Sequence, residues 1–248
     1  MKNYDSQFKN VFSLNFAFLI FNFAFFVASS YAGSFNIPEK FEYDLKWAGI
    51  KAGTASLEII NDGDNLKIIS TARSADWLSV FYTVDDRIES TLFTGKPSNY
   101  RVKIREGRHR RDKEIIFDHD ENKAKYIDHL ENKIKDFDIP DFIFDPLSSF
   151  YYVRTLSLTV GESVFVAIFD SKNVWNVEVQ VLRREKITLP TGTFNTIVIK
   201  PIMESEGIFY RKGDIFIWLT DDIKRIPVKL QTKVAVGHIT ATLVDGSY

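Results

Sequence analysis

The chain has 248 residues, with 32 basic against 33 acidic side chains and no cysteine. A net charge of −1 gives no polycationic surface for general nucleic-acid binding. The missing thiols exclude disulfides, thiolate metal sites, cysteine nucleophiles and lipid attachment at a lipobox.

The first segment reads as an export signal. Lys2 and Lys9 precede an apolar run over residues 16–28 broken only by Asn22, and the small residues Ser30 and Ala32 then stand where a signal peptidase requires them. The run is shorter than the roughly 20 residues of a membrane span. The expectation is a signal peptide over residues 1–32, cleaved between Ala32 and Gly33, and one β-rich domain over residues 33–248. Without the signal the charge is −2, and no linker or low-complexity tract divides the remainder.

Alternation dominates residues 33–248. Phe41, Tyr43, Leu45 and Trp47 alternate with Glu42, Asp44 and Lys46, the period of a strand buried on one side, and Gly49 and Gly53 punctuate its end. Residues 54–60 and 66–72 flank Asn61-Asp62-Gly63-Asp64-Asn65, a strong hairpin signal. A short helical turn is expected at 75–81. Tyr100, Val102 and Ile104 alternate with Arg101, Lys103 and Arg105. Val177, Val179 and Val181 repeat the pattern, as do Val228, Leu230, Thr232, Val234 and Val236. Turn residues recur near Gly95, 118–122, 170–173, 190–192 and Asp221-Asp222, so the chain is mainly β, as a meander, sandwich or barrel.

One segment departs from this pattern. Asp145 followed by Pro146 is an N-cap with proline at the first helical position. Leu147, Phe150, Tyr151 and Arg154 then fall on one helical face, which predicts a single central helix against the sheet. Arg154 on that stripe calls for a buried acceptor, either a carboxylate or strand carbonyls.

Few motifs carry chemistry. His109, His119 and His129 are ten residues apart, no metal spacing on a helix or a strand. Asp118, Asp120 and Asn122 imitate a calcium loop, but Lys123 and His129 occupy the positions that require glycine and a bidentate glutamate. Ser148 and Ser149 lie beside Asp145 with no histidine near in sequence to act as base. No phosphate-binding or dinucleotide-binding fingerprint is present, and no cofactor is implied. The densest charge feature is Arg101, Lys103, Arg105, Arg108, Arg110, Arg111 and Lys113, a hairpin centred on Gly107. It reads either as a patch for an anionic ligand such as a lipid headgroup, or as an ordinary solvated face.

Four stretches together resemble the exported bacterial family known as domain-of-unknown-function family 3108. They carry Tyr43, Trp47, Gly49 and Gly53; Asp145, Ser148, Tyr152 and Arg154; Gly192-Thr193-Phe194; and Trp218-Leu219-Thr220-Asp221 running on to Arg225, Ile226, Pro227 and Val228. The resemblance implies a Gram-negative envelope location; with the signal cleaved and no second apolar segment of spanning length, the expectation is a soluble periplasmic protein. The resemblance also implies a strongly curved antiparallel sheet or incomplete barrel, and it assigns no site residues. By fold analogy, such a sheet with a helix on its concave side is similar to periplasmic carriers of lipids and lipoproteins. The expectation is a non-enzymatic binding module for lipid or lipoprotein. Two alternatives are a structural or assembly partner of an outer-membrane complex, and a hydrolase with a dispersed site.

Overall fold

A computed structural model describes residues 36–202, 214–233 and 237–248. The signal segment expected over 1–32, with Ala32 and Gly33 at its cleavage point, lies outside the described residues. The described chain begins with β1 (Glu39–Trp47), β2 (Ile50–Asp62) and β3 (Asn65–Ser74), then a short helix α1 (Asp76–Ser79). It continues through β4 (Asp85–Phe93), β5 (Lys96–Glu106), β6 (His109–Asp118), β7 (Lys123–Asp128) and β8 (Lys133–Asp138) to the central helix α2 (Pro146–Thr155). The remainder is β9 (Ser163–Asp170), β10 (Asn173–Leu189), β11 (Gly192–Ile202), β12 (Ile215–Thr220), β13 (Pro227–Lys233) and β14 (His238–Ser247).

All of these strands belong to one antiparallel sheet. Each pairs with its neighbour in sequence, and β14 returns to pair with β1. The one break is between β8 and β9, where α2 is inserted, so the sheet curls round without closing into a barrel. The residues before α2 bridge that seam: the Phe144 amide donates to the Ala167 carbonyl at 3.0 Å, and the Phe169 amide to the Phe144 carbonyl at 2.8 Å. Phe169 of β9 then meets Phe117 of β6 at 6.2 Å and Phe137 of β8 at 5.4 Å. The core is therefore continuous across the seam although the strand ladder is not.

The curl follows from local sequence. Register shifts at Glu42/Tyr43, Leu45/Lys46, Thr91/Leu92 and Val181/Arg183 each add twist where strands must bend. Beside one of them, a Cβ on Gly53 would stand 2.2 Å from the Arg73 carbonyl oxygen, so only glycine lets β2 and β3 approach there. The expected alternation is realised on β5, where Tyr100, Val102 and Ile104 are buried while Lys103 and Arg105 are exposed. The expected hairpin closes through Gly63 and Asp64, with Gly63 at φ 61°. The strand read over 228–236 is β13, which ends at Lys233; residues 234–236 lie outside the described ones.

Helix α2 lies inside the curl, against β3, β4 and β9. Its burial is wider than the apolar stripe predicted, because sheet surrounds it. Ser148, Ser149, Tyr151, Val153 and Arg154 are buried, whereas Leu147 and Phe150 are only half-buried. The cap is as read: Asp145 Oδ1 accepts the amides of Leu147 and Ser148 at 2.8 and 2.9 Å, while Oδ2 accepts the hydroxyls of Ser148 and Ser90 at 2.7 and 2.6 Å. Burial pushes the Asp145 carboxyl up, against the pull of these donors.

Candidate functional site: an apolar hollow with a polar cleft beside it

The meander gives the curled sheet two ends. The near end carries the β1–β2 turn, residues 75–84, and the β5–β6, β7–β8 and β9–β10 turns. The far end carries the β2–β3 and β12–β13 turns.

The far end is sealed by a buried ion pair. Arg154, 1% exposed, donates to Glu39 through Nη1 at 2.7 Å and Nη2 at 2.9 Å. Its remaining donors reach the Arg225 and Lys224 carbonyls, each at 3.0 Å, and Phe41 and Tyr151 flank the guanidinium. Of the acceptors expected for Arg154, the carboxylate is present, while the carbonyls come from the β12–β13 turn instead of a strand. Glu39 lies 115 residues away and was not legible as the partner.

Between this seal and the near end the sheet's concave face encloses an open cavity of about 390 Å³. Its walls are Ile88, Val166, Val177, Ile199 and Ile217 from strands on opposite sides, with Leu147 and Phe150 of α2 projecting into it. The space exists because Ala55, Ser70 and Ala241 stand on β2, β3 and β14, close together in one wall, where larger side chains would fill it. Asp86 and Glu106 line it towards the near end. The half-buried state of Phe150 has its cause here: the ring borders the hollow instead of entering the core.

A second cavity of about 370 Å³ opens at the same end, near the seam, with Arg111, Lys113, Asp128, Asp170 and Lys172 in its walls. Tyr100 borders both cavities. Its hydroxyl is buried with no hydrogen-bond partner among the described residues, and burial, then Asp145 and Asp170, holds the phenol well above its usual range. Burial also raises the Asp170 carboxyl and lowers the Lys113 ammonium, the latter helped by Arg111. At Asp128 burial works the same way as at Asp170, but the amides of Glu131 and Leu130 and the Tyr126 hydroxyl outweigh it and bring that carboxyl down. The cleft thus gathers acidic and basic groups whose charges burial and hydrogen bonding have shifted, a setting able to receive a polar or ionic group.

The basic hairpin is divided by its register. Arg105 faces Arg110 across a two-residue turn, so Arg101, Lys103, Arg105 and Arg110 share the outer face, whereas Arg111 and Lys113 share the inner face with Ile104 and Val102. Arg101 is neutralised by Asp112 and Glu114. Arg108 lies at the exposed turn. Sequence reading grouped these seven side chains and missed Lys172 and Asp170, which reach the cleft from the β9–β10 turn. Only the long-range pairing of the seam reveals them.

The other candidates are not assembled into a site. His109 accepts from Arg111 Nε at 2.8 Å, His119 meets the Pro97 carbonyl at 2.7 Å, and His129 meets Glu114 at 2.8 Å. Among the described residues no three His, Asp or Glu side chains converge as metal ligands. Asp118 instead caps its own turn by accepting the Glu121 amide at 2.9 Å. Ser148 is spent on the Asp145 cap, and the Ser149 hydroxyl donates to the Pro146 carbonyl at 2.9 Å.

Residues 42–244 match the family described as "Protein of unknown function (DUF3108)". Among solved structures, the chain is similar to a beta-barrel-like protein of domain of unknown function DUF1849 from Brucella abortus, at 12% identity and a TM-score of 0.56, over 85% of this chain and 97% of that one. It is also similar to the hypothetical protein CT021 from Chlamydia trachomatis, at 6% identity and a TM-score of 0.41, over 86% of this chain and 88% of that one. The first likeness shows the barrel-like fold and nothing about activity. No curated protein matches the chain.

Proposed function

We propose that this chain, which belongs to the DUF3108 family, is an exported, non-enzymatic binding module that holds an apolar or amphipathic ligand such as a lipid or the acyl part of a lipoprotein. The observation that carries this reading is the apolar hollow of about 390 Å³ on the concave face, within the range of roughly 300–1,000 Å³ usual for small-ligand sites. A filled core would have been the more stable use of these side chains, since each cavity-lining atom forfeits packing contacts. The Tyr100 hydroxyl, without a hydrogen-bond partner among the described residues, supports a ligand with an oxygen at one end of its apolar part.

The test is displacement of a fluorescent fatty acid from the purified protein. Ala241→Phe narrows the hollow from β14 and should weaken binding at least about tenfold while the protein stays folded. Phe150→Ala should lower stability by about 1–2 kcal/mol, less than the roughly 3–5 kcal/mol of a core phenylalanine, and should also weaken binding. Unchanged binding in both variants would rule the hollow out as the site. Export is tested separately: N-terminal sequencing of protein from its host should begin at Gly33, and an intact Met1 would overturn it.

A further inference from the structure

The near end also carries the most exposed apolar side chains of that half of the molecule, and they are gathered on two adjoining turns. Phe81 is 84% exposed, Val80 78% and Ile50 64%, with Trp47, Trp77 and Tyr82 exposed beside them. These positions are held by hydrogen bonds. The Trp77 indole donates to the Lys51 carbonyl at 2.9 Å and the Ala75 amide to the Ala52 carbonyl at 2.8 Å, which ties residues 75–84 to the β1–β2 turn.

The same segment is tied to the basic hairpin. The Gly107 amide donates to the Thr83 carbonyl at 2.8 Å, and the Tyr82 ring lies so close that a Cβ on Gly107 would meet it at 2.7 Å. Exposed Arg105, Arg108 and Arg110 therefore flank the apolar protrusion, and none of the three forms an ion pair with a carboxylate among the described residues. An aliphatic and phenylalanine tip, indoles and a phenol around it, and beside it guanidinium groups with no carboxylate partner among the described residues match the three depths of an anionic bilayer: acyl boundary, interface and headgroup phosphate.

We infer that the near end of the curled sheet docks on an anionic lipid bilayer, inserting Val80 and Phe81 while Arg105, Arg108 and Arg110 meet the headgroups. Docking would bring the hollow's mouth to the membrane, since Asp86 and Glu106 line the hollow at that end. A protein partner is the poorer fit, because the apolar groups project as two turns instead of forming a flat face.

The test uses the full chain and the fluorescence of its tryptophans. Trp47 and Trp77 stand in the patch, and residues 1–32 contain no tryptophan, so that segment contributes no signal. Vesicles of phosphatidylcholine and phosphatidylglycerol with brominated acyl chains should quench the emission, and Trp77→Phe should remove much of the quenching. Val80→Glu with Phe81→Glu should weaken vesicle binding by roughly a hundredfold. Gln at the three arginines should do so by a similar factor on anionic vesicles only, and remove the salt dependence. No quenching of the wild type at low salt, or quenching untouched by these changes, would overturn the inference. So would concentration-dependent dimerisation abolished by the Val80 and Phe81 changes, which would show a second copy to be the occupant. Fatty-acid displacement should persist in the glutamate variant and vesicle binding should persist in Ala241→Phe, so failure of either reading is seen apart from the other.

Discussion

Replacing Glu39 by Gln is the most informative perturbation of the fold, because one buried contact joins the start of β1, the end of α2 and the β12–β13 turn. In the native protein Arg154 has a bidentate carboxylate, two carbonyls and two aromatic faces. The amide removes the countercharge and leaves a guanidinium that is 1% exposed. Breaking one side of such a pair typically costs about 3–5 kcal/mol, since the remaining charge keeps its desolvation penalty without its partner. That is a large share of a stability of roughly 5–15 kcal/mol, and should lower a urea midpoint by about 1–2 M. Arg154→Met should cost a similar amount by stranding Glu39. The Glu39→Met/Arg154→Met double variant should be far less destabilised than the sum of the single changes, because neither charge remains to be buried. A single-variant loss below about 1 kcal/mol, the level of an exposed pair, would refute the reasoning, and so would additive losses in the cycle.

Two further outcomes rest on buried polar groups. Asp145→Ala removes the cap of α2 and orphans the Ser90 hydroxyl, so equilibrium unfolding should show a loss of about 3 kcal/mol, with Asp145→Asn losing less. A loss under about 0.5 kcal/mol would mean that the cap is dispensable. The Tyr126 phenol is pushed up to about 12, by burial first and then by Asp128. The neutral phenol is thus the form the fold favours, and its contribution is complete below pH of about 10 and lost as pH rises towards 12. Its hydroxyl donates to Asp128, which does line the cleft, so after solvent screening this amounts to about 1–2 kcal/mol, and Tyr126→Phe should flatten that part of the stability profile.

What was legible in the sequence was what depends on neighbours along the chain. Alternation on β1, β5 and β10 placed the strands because burial on one side imposes a period of two. The Asp145-Pro146 cap was legible because its hydrogen bonds span three residues. The Glu39 partner and the Asp170–Lys172 side of the cleft were not, since they depend on how far the sheet curls before α2 interrupts it. The division of the basic hairpin lies between these cases. It depends on parity: a two-residue turn puts Arg105 opposite Arg110 and so sends Arg111 inward, whereas one residue more would have reversed every side chain of β6.

The hollow itself is a property of side chains that never approach one another in sequence. Ala55, Ser70 and Ala241 read as ordinary strand residues in isolation. They leave a cavity only because β14 returns to β1 and brings their strands onto one concave wall facing α2. A closed barrel of the same strands would have exchanged the seam for a hairpin and lost the place where α2 enters. The interruption between β8 and β9 thus has two consequences. It lets a helix with a buried cap and a buried arginine seal the far end, and it leaves Phe150 as a wall of the space that remains. The buried Glu39–Arg154 pair lies at the far end, and the exposed aromatic turns, the polar cleft and the open mouth lie at the near one. The proposed binding role would need such a polarity, one end staying folded while the other exchanges a ligand.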